Sequence, residues 1–157
     1  MAEFRFRAQA ALDLRHKQED AAATALGQAE AVFRRTAEQH AAKRSEREAA
    51  LAQQLTDQQA GIGAALLEWH WNWINGLAGA VERLGRDLDA RRIEVGAAQQ
   101  VWREARRRRL VLERMRDRML QRHQQEERRK ELKNVDELAR IRFINPETTS
   151  GGVNRGD

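Results

Sequence analysis

The chain of 157 residues has no cysteine, no tyrosine and a single proline. Without cysteine there are no disulfides and no thiolate metal sites, which fits a reducing compartment. One proline, at position 146, leaves everything before it free of the strongest helix breaker. No apolar run approaches the roughly 20 residues that a membrane span requires. The opening MAEFRFRAQA lacks the apolar stretch of a secretion signal, so a soluble cytoplasmic protein is expected. Alternation of β-branched and polar residues is missing between residues 4 and 143, and no strand is predicted.

What remains is helix-forming material. Alanine, leucine, glutamine, glutamate and arginine dominate, and charged residues make up 34%. The one internal break is LTDQQAGIGAAL, where Gly61 and Gly63 flank Ile62; glycine tolerates the positive φ with which a chain leaves a helix. A turn near residues 57–64 is therefore predicted, between a first helix over residues 4–57 and a second over 64–143. Such lengths suggest a coiled coil.

The second helix supports this with a seven-residue repeat. Leu67, Ile74, Val81, Leu88, Val95, Trp102 and Arg109 form one line. His70, Leu77, Leu84, Arg91, Ala98, Ala105, Leu112 and Met119 follow three residues later as its partner, with polar interruptions at Arg91 and from Arg109. In the first helix the stripe reads Ala22, Leu26, Ala29, Phe33, Ala37 and His40, then Leu51 and Leu55 after a polar gap. That spacing drifts between seven- and eleven-residue periods. Two such helices joined by a short glycine turn should fold back on each other. The predicted fold is all-α: an antiparallel two-helix coiled-coil hairpin with an overhanging C-terminal helix, and a disordered tail over residues 144–157.

Three of the four tryptophans fall within LLEWHWNWIN. On the repeat, Trp69, Trp71 and Trp73 occupy positions c, e and g, none of them on the seam. Trp69 should be exposed, whereas Trp71 and Trp73 can flank and cover the interface. Trp73, Leu77, Ala80 and Leu84 follow at steps of four, three and four along one side of the helix. Clustered exposed aromatics are the material of protein docking sites. A membrane-interface role has less support, because no lysine or arginine accompanies the tryptophans before Arg83.

The net charge of +5 is concentrated: residues 101–133 carry 13 Lys and Arg against 6 Asp and Glu. Clustered arginines raise a nucleic-acid reading, but Glu104, Glu113 and Asp117 sit in salt-bridge register with them and no nucleic-acid-binding signature accompanies the run. No nucleic-acid partner is expected. His16, His40, His70 and His123 are scattered with no pair at a metal-binding spacing, and GIG lacks the lysine and hydroxyl residue of a phosphate loop. No metal, cofactor or enzymatic activity is expected.

FRFRAQAALDLRHKQED at residues 4–20, WREARRRRLVLERMRDR at 102–118 and RRKELKNVDELARIRF at 128–143 resemble the flagellar type III export protein family FliJ. The resemblance spans roughly residues 3–143 and includes the glycine break. It implies a coiled coil similar to the central stalk of rotary ATP synthases, acting on a hexameric export ATPase. It also implies contact with the cytoplasmic domain of the membrane export gate, and escort of export chaperones. By this resemblance Phe4, Phe6, Leu12, Leu14, Leu138, Ile141 and Phe143 would meet the ATPase, and Trp69, Trp73, Leu77, Ala80 and Leu84 would dock on the gate. The expected protein is monomeric when free and peripheral to the cytoplasmic face of the inner membrane at the flagellar base, without inserting into it. The rival readings are the equivalent stalk of a virulence-type injectisome and, in another class, a dimeric coiled-coil scaffold or basic nucleic-acid binder.

Overall fold

The computed structural model describes residues 3–144; the predicted disordered tail over 144–157 lies almost wholly outside them. The described chain consists of two helices, α1 (Gln9–Ala60) and α2 (Ala64–Ile144), and no strand. Packing divides the chain into two units: Asp13–Arg109, and the residues up to Leu12 together with those from Leu110 onward.

In the unit Asp13–Arg109, α1 and α2 pack antiparallel. His40 of α1 lies beside Gly85 of α2. Asp57 bonds to His70 near the turn, and Glu19 bonds to Arg109 at the far end. As α1 advances from Glu19 to Asp57, α2 retreats from Arg109 to His70 by nearly the same number of residues, so a single register holds throughout.

The connection is three residues long. Helix α1 runs to Ala60, past the predicted end at residue 57, because Gln58, Gln59 and Ala60 are good helix formers and the first residue to leave is Gly61. Gly61 adopts a φ of 84° and donates its N–H to the Gln58 carbonyl at 3.2 Å. This is the left-handed cap that glycine takes without a Cβ penalty. The carbonyl of Gly63 then accepts the Leu67 N–H at 3.1 Å and opens α2.

The seam of α2 follows the predicted heptad from His70 onward. Ile74, Leu77 and His70 are buried, and Val81, Leu84, Leu88, Arg91, Val95, Ala98, Trp102, Ala105 and Arg109 are half-buried. Leu67 departs from it and is exposed. The seam of α1 differs more. Its inward positions are Arg15, Ala22, Ala29, Thr36, Lys43, Ala50 and Asp57, at strict seven-residue spacing, interleaved with Glu19, Leu26, Phe33, His40 and Gln54. The repeat does not drift. It is hidden in the sequence because polar side chains occupy several of its positions. Leu51 and Leu55, expected on the stripe, lie off this register and are exposed.

The buried polar residues Thr36 and His70 each find a partner, whereas the Nε of half-buried Arg91 makes no hydrogen bond. The Thr36 hydroxyl donates to the Val32 carbonyl one turn back at 3.0 Å, which lets a threonine sit inside the seam. The ring of His70 is satisfied by Asp57, Nε2 to Oδ2, at 2.8 Å. The guanidinium of Arg109 meets the carboxylate of Glu19 with both side chains about 15% exposed. Arg91 is held within its own helix by Asp87 and Glu94, and the bond to Glu94 pushes its pKa up.

In the other unit, residues 3–8 precede the helix rather than form its first turn, so α1 begins later than the predicted residue 4. The N–H of Gln9 bonds to the Phe6 carbonyl at 3.0 Å. Phe6 and Leu12 are buried, and Phe4 packs its ring on His123 with centroids 5.7 Å apart. Along α2, half-buried positions continue through Leu112, Arg116, Met119 and His123 to Glu127. From Arg128 to Ile144 every residue is exposed, the overhang expected from the unequal helix lengths.

Two outcomes check this packing. Gly61→Ala forces a Cβ into the left-handed region and should lower stability by about 1 kcal/mol, read from the urea midpoint. Breaking the seam ion pair singly, with Glu19→Leu or Arg109→Leu, should cost about 1–3 kcal/mol because the remaining half-buried partner loses its bond. The double Leu variant should recover much of that loss, which a double-mutant cycle measures.

Candidate functional site

Two surfaces stand out, one in each unit. The first is the tryptophan segment of α2, which begins one turn after Gly63. Trp69 is 57% exposed, Trp71 62% and Trp73 44%. Trp69 and Trp73, four residues apart and therefore on one face, stack nearly parallel with centroids 6.2 Å apart. Trp69 also meets the edge of His70 at 5.3 Å. His70 is buried against Asp57, so the bond that closes the hairpin also sets a neighbour of this indole.

Trp71, two positions from each, projects to a different side. It borders a shallow hollow with Leu67, Glu68 and Ala64 of α2 and Gln54 and Gln58 of α1. The expectation that Trp71 covers the interface is corrected, since its indole is turned mainly to solvent, while Trp73 is more than half covered and stacks on Trp69. Asp57, His70 and Ile74 close the hairpin at this level instead.

Among the residues expected to dock on the gate, the structure brings Trp69 and Trp73 together on the surface. Ala80 is half-buried beside the seam, and Leu84, a d position like Leu77, is half-buried on it. Leu77 is 4% exposed and packs inside, because it is a d position of the heptad. The accessible part of the stripe is therefore its tryptophan end. Leu66, three residues before Trp69, is also exposed there and extends the face toward the turn.

The second surface is the free end of α2. Leu132, Val135, Ala139 and Phe143 recur at steps of three, four and four, and Leu138 and Ile141 lie alongside. Phe143 is 91% exposed, and Leu132, Val135, Leu138, Ile141 and Ile144 are all exposed as well. Among the described residues nothing apolar covers this stripe, and an exposed apolar helix face of this kind suits a partner surface. Just before it, the Glu127 carboxylate accepts a bond from Lys130 at 2.9 Å, which pulls the acid's pKa down and pushes the amine's up.

The residues expected to meet the ATPase divide in the same way. Leu138, Ile141 and Phe143 are on the free stripe. Phe6 and Leu12 are buried within their unit and Phe4 lies half-buried against His123, where they anchor the start of the chain. Leu14 belongs to the other unit and is exposed. Sequence reasoning did not single out Leu132 and Val135 for this surface; the three- and four-residue steps leading to Phe143 were the available signal.

Among the described residues no group of three His, Cys, Asp or Glu side chains is placed to hold a metal ion. No helix there is long and apolar enough to cross a membrane.

An antiparallel helix pair with a glycine turn, exposed indoles and, among the described residues, an exposed apolar stripe at one helix end defines the class: a two-helix coiled-coil protein. A family model described as flagellar FliJ protein matches residues 5–148, nearly the whole chain, and the chain belongs to that family. It is thereby a component of flagellar protein export, in a family of structural and export proteins. No curated protein and no solved structure matches it.

The burial pattern separates surface residues from packing residues in a measurable way. Trp69→Ala and Trp73→Ala should each change stability by no more than about 0.5 kcal/mol. Leu77→Ala, a few positions along the same stripe, should cost about 2–5 kcal/mol. Thermal unfolding followed by helix ellipticity distinguishes the two classes.

Proposed function

We propose that the protein is the stalk that couples the flagellar export ATPase ring to the membrane export gate. The observation that carries this reading is the apolar stripe of α2 from Leu132 to Phe143, which is exposed among the described residues. A helix face of that kind is read by a groove or pore lined with complementary apolar side chains. The hexameric ATPase is the partner that family membership suggests for it. Leu138, Ile141 and Phe143 make that contact, with Leu132 and Val135 beside them. Phe6, Leu12 and Phe4 support it indirectly by holding their own unit together, and Leu14 adds exposed apolar surface.

The tryptophan face serves the gate. Trp69 and Trp73 present rigid aromatic surface of the sort that dominates protein docking energetics, and half-buried Ala80 and Leu84 continue it beside and on the seam. Leu77 holds the helix that carries them. In this reading the two partners use separate surfaces, so both can be engaged at once, and export chaperones are further candidates for escort. The protein acts at the cytoplasmic face of the inner membrane through these contacts, with no catalytic group of its own.

The test mixes the purified protein with the export ATPase and follows ATP hydrolysis and ring assembly. The full chain should stimulate both, and a variant ending at Asn134 should not, while its remaining helix content is retained. Equal stimulation by the truncated chain would remove the stripe from the mechanism. A companion assay with the gate's cytoplasmic domain should lose binding on Trp69→Ala/Trp73→Ala.

A further inference from the structure

The hollow around Trp71 is used by neither surface described above. Its wall holds an exposed indole, the apolar side chains of Leu67 and Ala64, two glutamine amides from Gln54 and Gln58, and the carboxylate of Glu68. Glu68 makes no ion pair among the described residues. Between Arg47 and Arg83 the chain has no lysine or arginine at all, although its total charge is +5. This end of the hairpin is therefore acidic within a basic protein. Asp57 is occupied by His70, so Glu68 is the charge left to face an incoming group.

Elsewhere the chain displays what an indole does when a cation is in reach: the guanidinium of Arg106 lies over the Trp102 ring, 5.3 Å from its centroid. Trp71 has no such neighbour in sequence. An aromatic face, a carboxylate and amide oxygens around a shallow apolar floor form the set that recognises an arginine. The ring takes the flat guanidinium, the acid accepts its hydrogen bonds, and the leucine covers its methylenes.

We propose that the Trp71 hollow is a docking site for an arginine side chain presented by a basic segment of a partner protein. The site is distinct from the Trp69 and Trp73 face, and the inference stands whether or not that face binds the gate. Charge selects this occupant: an anionic bilayer would meet the Glu68 carboxylate without a compensating lysine or arginine for more than thirty residues around it.

The test uses the full chain and an arginine-rich peptide as the probe. In a nitrogen-15 spectrum the four tryptophans give four indole N–H signals, and single Trp→Phe variants assign them. The peptide should shift the Trp71 signal in a saturable way and leave those of Trp69 and Trp73 nearly unmoved. Trp71→Leu, which keeps apolar bulk but removes the ring, should weaken binding roughly 2- to 5-fold. Combining it with Glu68→Gln should weaken binding roughly 3- to 30-fold. Helicity measured alongside should match the unmodified chain, since both positions are exposed. The inference is overturned by wild-type affinity in the double variant, by a titration in which the Trp102 or Trp73 signal moves and that of Trp71 does not, or by uncharged phospholipid vesicles shifting Trp71 when the peptide does not.

Discussion

Everything in this protein rests on a thin interface between two helices. Two helices can wrap only a narrow strip of each other, and the consequence is visible in the burial. Among described side chains, Leu12 is the one large group that is almost wholly enclosed. Most seam residues are half-exposed, so stability must come from many small contributions along the length rather than from a central core. A seam built this way, with alanine at Ala22, Ala29 and Ala50, would also slide easily. The polar pairs prevent it: a one-heptad slip would strand His70 without Asp57 and Glu19 without Arg109, leaving partly buried polar groups unmet. Register in the unit Asp13–Arg109 is thus held by its two ends.

That constraint explains where function can be found. A helix pair encloses little, so most of its side chains outside the seam are left on the surface. In α2 these include the c, e and g positions, which the sequence fills with tryptophan near the turn. Beyond Glu127 every described residue of α2 is exposed, and the stripe from Leu132 to Phe143 lies off the seam positions, which there carry Lys130, Lys133, Glu137 and Arg140.

The fold was legible because its signals are local. The glycine pair at Gly61 and Gly63 marked the turn, and the apolar heptad of α2 marked the seam from His70 to Met119. Helix ends moved by a few residues because Gln58 and Gln59 are compatible with either state and only Gly61 decides. The seam of α1 was not legible in the same way. Thr36, Lys43, Gln54 and Asp57 occupy inward positions, and an apolar count passes over them in favour of Leu51 and Leu55. What lets a polar residue sit inward is a bonding partner, within the helix for Thr36 and Lys43 and across the interface for Asp57, whose partner His70 is distant in sequence.

The functional surfaces show the same division. Exposure of Trp69 followed directly from its c position. Leu77 looked like a member of the docking stripe because a seven-residue repeat puts seam and flank on adjacent lines, and only packing separates them. Phe6 and Leu12 lie in the opening motif of the family and are buried, which the motif alone does not indicate. The most direct test of the whole account places a photo-crosslinking residue at position 73 or at position 143 and presents the ATPase and the gate's cytoplasmic domain together. The account requires that position 143 capture the ATPase and position 73 the gate domain. Capture of the ATPase from position 73, or of the gate domain from position 143, would contradict the division of labour between the two surfaces.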